Sequence, residues 1–82
     1  MAYFVYILRS RVDSSYYIGF TQNLPGRLRK HNEAKTGYTM RKKPWELIYF
    51  EQFETKELAL KREKSIKRMK SRLYIAALIA GK

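Results

Sequence analysis

Residues 2 to 9 (AYFVYILR) are aromatic and β-branched with no helical period, the pattern of a strand buried on both faces. Strand alternation puts Phe4, Tyr6 and Leu8 on one of those faces. Asp13, Ser14 and Ser15 mark a turn, and residues 16 to 20 (YYIGF) read as a second short strand, so the chain opens with a β-hairpin whose loop spans about residues 11 to 15. The period then becomes helical. Asn23 is a good N-cap, Pro25 is tolerated in the first turn, and LPGRLRKHNEA runs on to Gly37 as a stop. Leu24, Leu28, Arg27 and His31 fall on adjoining parts of one face of this helix, while Arg29 and Glu33 look elsewhere. Residues 36 to 44 (TGYTMRKKP) carry polar, basic and Gly/Pro punctuation and read as an exposed loop. WELIYFEQF, residues 45 to 53, supplies a third strand. Thr55 caps a helix of roughly residues 56 to 70, and Ser71 caps a shorter one that stops before Gly81.

These elements predict an α+β fold, a three-stranded, mainly antiparallel sheet flanked by three helices in the order β-β-α-β-α-α. A chain of 82 residues buries only about 60% of its unfolded surface and has nothing to spare for a second core, so residues 1 to 82 are expected to be a single domain. In the helix after Thr55, Leu58, Ala59, Ile66 and Met69 form the expected apolar stripe. Glu63 sits at its edge, and Lys61, Lys64, Lys67 and Arg68 spread over the remaining faces. A carboxylate in that place suits a metal ligand. It equally suits a surface ion pair with Lys67, worth only ~0.3 to 0.5 kcal/mol.

Charge adds direction to this picture. Eighteen Lys and Arg against seven Asp and Glu leave a net charge of +11, a self-repulsion that a polyphosphate partner would neutralise. Nucleic acid is the foremost candidate, with an anionic membrane or an acidic protein as competitors. The basic segment Thr39 to Lys43, flanked by Tyr38 and Trp45, suits a backbone-tracking surface through Arg41, Lys42 and Lys43, extended by Lys67 and its neighbours. With no cysteine and the single His31, neither a disulfide framework nor a Cys or His metal cluster can be built. No apolar run approaches the ~18 residues of a membrane span, and the expected location is the cytoplasm.

Taken together, VYIL at 5 to 8, YIG at 17 to 19, NLPGRLRKHN at 23 to 32 and ELALKREKSIK at 57 to 67 resemble the GIY-YIG nuclease superfamily over nearly the whole chain. The resemblance is greatest to the small, single-domain bacterial members, related to the catalytic domains of homing endonucleases and of the excision-repair nuclease. By position it implies that Tyr6 is the tyrosine of the first motif, Tyr17 that of the second, Arg27 the catalytic arginine, His31 the helical position four further on, and Glu63 the metal-binding carboxylate. Gly19 closes the second motif. Two departures stand out. The first motif reads Phe4-Val5-Tyr6, and the asparagine that larger members carry after the glutamate helix has no counterpart, since this chain has no Asn beyond Asn32.

The resemblance implies a divalent-metal-dependent endonuclease acting on DNA in repair or processing. In-line hydrolysis of a phosphodiester needs an activated water, charge neutralisation on the non-bridging oxygens and stabilisation of the leaving oxygen. Mg²⁺ (or Mn²⁺) keeps several waters, so Glu63 and a substrate phosphate suffice to anchor it. A tyrosine of ordinary pKa, ~10, is seldom phenolate at neutral pH, but neighbouring cations favour the anion. Tyr6 is the expected proton acceptor and Tyr17 the group orienting water or phosphate, with the order of the two left open. Arg27 clamps the phosphate with its planar fork, and His31 hydrogen-bonds either the phosphate or a tyrosine hydroxyl. Phosphate contacts carry no sequence code, so selectivity is expected for DNA shape, such as branched or single-stranded substrates, over a defined site. A monomer is expected, with a transient dimer where two strands are cut. The alternative is a nucleic-acid-binding module that keeps the fold with little turnover. Taken singly, Tyr6 and Tyr17 are ordinary core β-formers and Arg27 a solvated helix residue.

Overall fold

The computed structural model describes residues 2 to 69 and 71 to 81. Lys70, assigned from sequence to the end of a helix, lies outside them. The elements run β1 (Tyr3–Ser10), β2 (Tyr16–Thr21), α1 (Leu24–Asn32), α2 (Gly37–Lys42), β3 (Trp45–Phe53), α3 (Lys56–Met69) and α4 (Arg72–Ala80). The sheet order is β2-β1-β3 with both pairings antiparallel, which is the predicted α+β sheet with one more short helix.

β1 lies in the middle and is covered twice, which is why its sequence is apolar at successive positions rather than at alternate ones. Val5 and Ile7 face α3 and α4 and join a core with Ala59, Ile66 and Ile75. Tyr6 and Leu8 face the other way, into a smaller core with Trp45, Tyr17, Leu24, Leu28 and Leu47 beneath α1. Phe4 shares the face of Tyr6 but meets Phe50 edge-on, with ring centroids 5.9 Å apart. The β1–β3 register slips between Ile7 and Leu8, where Ile7 pairs Tyr49 and Leu8 pairs Leu47. The slip leaves Ile48 as an inserted residue and lets Ile48 and Tyr49 both pack on the larger core.

The predicted caps form. Asn23 Oδ1 accepts from Gly26 N at 3.1 Å, Thr55 Oγ1 from Leu58 N at 3.2 Å and Ser71 Oγ from Tyr74 N at 3.2 Å. In the hairpin loop Ser14 takes a positive φ of 65°, and the buried Ser10 hydroxyl accepts from the Val12 amide at 3.0 Å.

Three expectations are corrected. α1 ends at Asn32, with Glu33 as its cap, rather than continuing to Gly37. The segment read as an exposed loop contains α2. Gly37, at φ +83°, opens that helix where a side chain would be strained. The stripe of α3 is also narrower and rotated. Ala59 and Ile66 are buried, but Leu58 and Met69 are 50% and 51% exposed, and the inward positions between them carry Arg62 and Glu63.

Arg62 explains the rotation. Its Nε and Nη2 donate to the two oxygens of Glu51 on β3 at 2.8 and 3.0 Å, and its Nη1 donates to Tyr74 Oη on α4 at 3.3 Å. Tyr49 Oη donates to the same carboxylate. Burial pushes Glu51 up, but these donors outweigh it and hold its carboxyl below the usual range.

Candidate active site

Tyr6 is 2% exposed and pairs across the hairpin with Gly19. Its ring lies over that glycine. A Cβ at Gly19 would stand 2.6 Å from the Tyr6 hydroxyl and 2.8 Å from Cζ, so the missing side chain is the space through which the phenol reaches across β2. Because β2 is an outer strand, this carries the hydroxyl to the rim of the sheet, where elements from both faces meet.

Four other elements or positions act on it. Tyr17, two residues before Gly19, stacks on Tyr6 with centroids 6.4 Å apart and planes 21° apart. His31, in the last turn of α1, places Nε2 3.2 Å from the Tyr6 hydroxyl, and its ring centroid is 4.6 Å from that of Tyr17. Arg27, one turn earlier on α1, and Glu63, from α3 on the opposite face, are both near enough to bias Tyr6 electrostatically. Burial first, and then Tyr17 and Glu63, push the Tyr6 phenol up to about 12, while Arg27 pulls it down. Of these neighbours, then, only Arg27 favours the phenolate. His31 is held below its ordinary value, by burial first and then by Arg27 and Lys30. The hydrogen bond joins the Tyr6 phenol to His31 Nε2, and the imidazole tautomer sets which of the two donates.

Glu63 has a side chain only 14% exposed, and one of its oxygens accepts from Lys67 Nζ at 3.1 Å. The ion pair with Lys67 that the sequence offered is therefore formed, by a carboxylate at the edge of the core. No group of three or more His, Cys, Asp or Glu that could hold a metal occurs among the described residues. One carboxylate beside phenolic hydroxyls does not make a zinc or calcium cage. It fits a small hard cation that keeps most of its waters and shares the rest of its shell with a substrate phosphate.

The proposed nucleic-acid residues are less free than their charge suggests. Lys42 is ion-paired with Asp13, which raises the lysine and lowers the aspartate. Lys43 Nζ donates to the Ala34 carbonyl at 3.0 Å, and Lys67 serves Glu63. Arg41 lies exposed in the last turn of α2. Trp45, expected at that surface, is instead 3% exposed. It packs beneath Tyr17 and His31 at centroid distances of 6.0 and 6.4 Å and anchors α2 by donating from Nε1 to Thr39 O at 3.0 Å. Asn32 fixes Trp45 from the other side, accepting from its N–H at 2.6 Å and donating to its carbonyl at 3.1 Å.

A cleft of about 530 Å³ opens beside these rings, lined by Tyr17, Arg27, Arg29, Lys30, Lys35 and Thr39 among others. Arg29 and Lys30 were not foreseen as part of the site. The signal for them was the density of cations in the run RLRKH at 27 to 31, but helical spacing turned Arg29 and Glu33 away from the face of Arg27 and His31, whereas both line this cleft.

Comparison with known proteins gives the family. Residues 2–74 match the sequence model of the GIY-YIG catalytic domain. The chain is 39% identical over 77 residues to the UPF0213 protein YazA of Bacillus subtilis strain 168, covering 89% of this chain and 77% of that one. It is 42% identical over 67 residues to a UPF0213 protein of Staphylococcus aureus strain Mu3, covering 80% of each. Among solved structures, the solution NMR structure of a UPF0213 protein from Bacillus halodurans matches with a TM-score of 0.65 at 32% identity, covering 100% of this chain and 86% of that one. Two motif tyrosines meeting a helical arginine, a histidine and a carboxylate at one rim of the sheet, in a chain matched by that model over 73 residues from 2 to 74, place it in the GIY-YIG nuclease family, alongside its small UPF0213 members.

Proposed function

We propose that this chain is a divalent-metal-dependent endonuclease that hydrolyses phosphodiester bonds in DNA, selecting substrate shape over sequence. The observation that carries the reading is the environment of Tyr6, a buried phenol hydrogen-bonded to a neutral imidazole and lying within the fields of Tyr17, Arg27 and Glu63. A core tyrosine needs none of these partners.

Glu63 would hold the cation, Mg²⁺ or Mn²⁺, together with the substrate phosphate. When bound, the ion neutralises charge on the phosphate and on the leaving oxygen. Arg27 binds the scissile phosphate through two N–H groups, offsetting the charge that develops on its non-bridging oxygens. Tyr17, half-buried beside the cleft, orients the attacking water. Tyr6 accepts the water's proton as it passes its own to His31 Nε2, so the step needs no free phenolate, which the raised pKa disfavours. The hydroxide oxygen bonds to phosphorus, the bond to the 3′ oxygen breaks, and that oxygen is protonated from solvent. The proton left on His31 is disfavoured by burial and by Arg27, which resets the pair once product leaves.

Incubation of the purified chain with labelled branched and single-stranded DNA, with Mg²⁺ or Mn²⁺ and then with EDTA, tests the reading. Metal-dependent cleavage that falls at least ~100-fold in Glu63→Gln is expected. Equal trace activity in the two proteins would sink it.

A further inference from the structure

Arg27 lines not one cleft but two. The second, of about 450 Å³, is built by Tyr3, Lys56, Arg27 and the segment from Phe20 to Asn23. These come from the start of β1, the end of β2, the cap of α1 and the first residue of α3. The cleft beside Tyr17 therefore flanks the C-terminal half of α1 and this one its N-terminal end, with the arginine between them. No acidic residue lines the second cleft. Its lining offers the outer edges of two half-buried aromatic rings that pack on the larger core, and the cation of Lys56, which has no ion-pair partner among the described residues. Aromatic surface next to such a cation suits a nucleotide strand, with rings for the bases to contact and a positive charge for the backbone.

On the reading that Arg27 clamps the scissile phosphate, we propose that the substrate strand crosses Arg27 and is held on both sides of the cut. One flank runs along Arg29, Lys30 and Lys35, and the other enters the cleft of Tyr3, Phe20 and Lys56. Lys56 lies two turns before Glu63 on α3, seven residues away on the same helix face. At 1.5 Å per residue this is about 10 Å along the axis, or roughly three stacked nucleotides at 3.4 Å each. Lys56 thus engages a phosphate about three nucleotides from the cut, with Tyr3 and Phe20 receiving the bases between. The site is built for a strand that continues past the cut in both directions, and a nucleotide at the very end of a strand leaves one cleft empty.

Oligonucleotides shortened one residue at a time from either end test this track. Wild-type cleavage is expected to fall at least ~10-fold when the flank on the Lys56 side drops below about three nucleotides. Lys56→Glu should lower cleavage of the full-length strand by a similar factor, and its penalty should shrink as that flank is removed. The Arg29→Ala/Lys30→Ala double variant should show the same interplay with the opposite flank only. A Lys56→Glu penalty that is the same at every flank length, or absent, would overturn the proposal. If the wild type cleaves nothing at any length with either metal, the nuclease reading falls on its own. Fluorescence anisotropy of the same oligonucleotides with the Glu63→Gln chain then decides the track by the same comparison, without turnover.

Discussion

Tyr6 and Gly19 show what one residue's absence of a side chain does for another's chemistry. The phenol occupies the place of the Gly19 Cβ, with hydroxyl and Cζ at 2.6 and 2.8 Å from it, and Tyr6 is too enclosed to swing aside. Gly19→Ala should therefore cost about 1–3 kcal/mol in urea unfolding, as overpacking does, and should reduce cleavage further than that loss of stability explains, because the His31 contact is displaced. Gly81→Ala, whose Cβ would meet its nearest atom at 3.4 Å, is the matched control and should be close to neutral. The same pair of site residues sets opposite pH limbs. Tyr6 is raised to about 12, by burial first, so the folded chain keeps a proton that the unfolded one releases near pH ~10, and stability falls as pH rises through that value. His31 is lowered, so the unfolded chain binds a proton that the folded one resists, and stability falls as pH drops through about 6.5. Unfolding midpoints measured across pH should lose the step near pH ~6.5 in His31→Gln, leaving the loss below pH ~4 that the lowered Glu51 and Asp13 carboxyls give. Tyr6→Phe should weaken the alkaline limb, leaving the part due to Tyr49, which burial and Glu51 also raise. The positions of Tyr6 and Tyr17 were legible from alternation and motif. The direction of the Tyr6 shift was not, because it depends on burial against three neighbours from other elements.

At the scale of elements, strands and caps were legible because their signals are local. A β-branched run, an Asn, Thr or Ser before an apolar period, and a polar turn each act on their own few residues. α2 was not legible. Six residues are too short to show a period, and the segment is held as a helix by a contact outside itself, the Trp45 indole on the Thr39 carbonyl. The rotation of α3 was hidden for a similar reason, since an arginine is read as solvent-facing until its partner is known. Arg62 ties α3 to β3 through Glu51 and to α4 through Tyr74, with both ion-pair side chains less than a third exposed. Arg62→Ala should lower stability by about 2 kcal/mol, most of it from a carboxylate left half-buried without its donors. The Arg62→Met/Glu51→Gln double variant should recover much of this. Denaturant titration of Arg62→Met, Glu51→Gln and the double variant checks the pair, and additive losses would show that the network does not couple the elements.

At the scale of the molecule, a net charge of +11 tells that a polyanion is wanted but not where it goes, because pairing decides which cations are available. Asp13, Glu46, Glu51 and Glu63 engage Lys42, Arg9 with Arg11, Arg62 and Lys67. This takes Lys42 of the basic segment and Arg62 and Lys67 of α3 out of play for phosphate. Arg27, Arg29, Lys30, Lys35 and Lys56 line the two clefts with no ion-pair partner among the described residues. If each of these five meets one phosphate of a single strand, at ~0.7 counterion each, log K for binding should fall with log salt at a slope of about −3.5. Each charge removed from a cleft should flatten it by ~0.7, whereas removing Lys42 should leave it unchanged. Folding responds to salt in the opposite sense. Screening the self-repulsion of the free chain should raise its unfolding midpoint between low salt and ~0.15 M, where the Debye length shortens to ~8 Å. Anisotropy titrations and thermal scans in the same buffers separate the two responses. A slope as steep as the total charge would mean that the paired lysines also bind phosphate, and that the internal ion pairs open on contact with DNA.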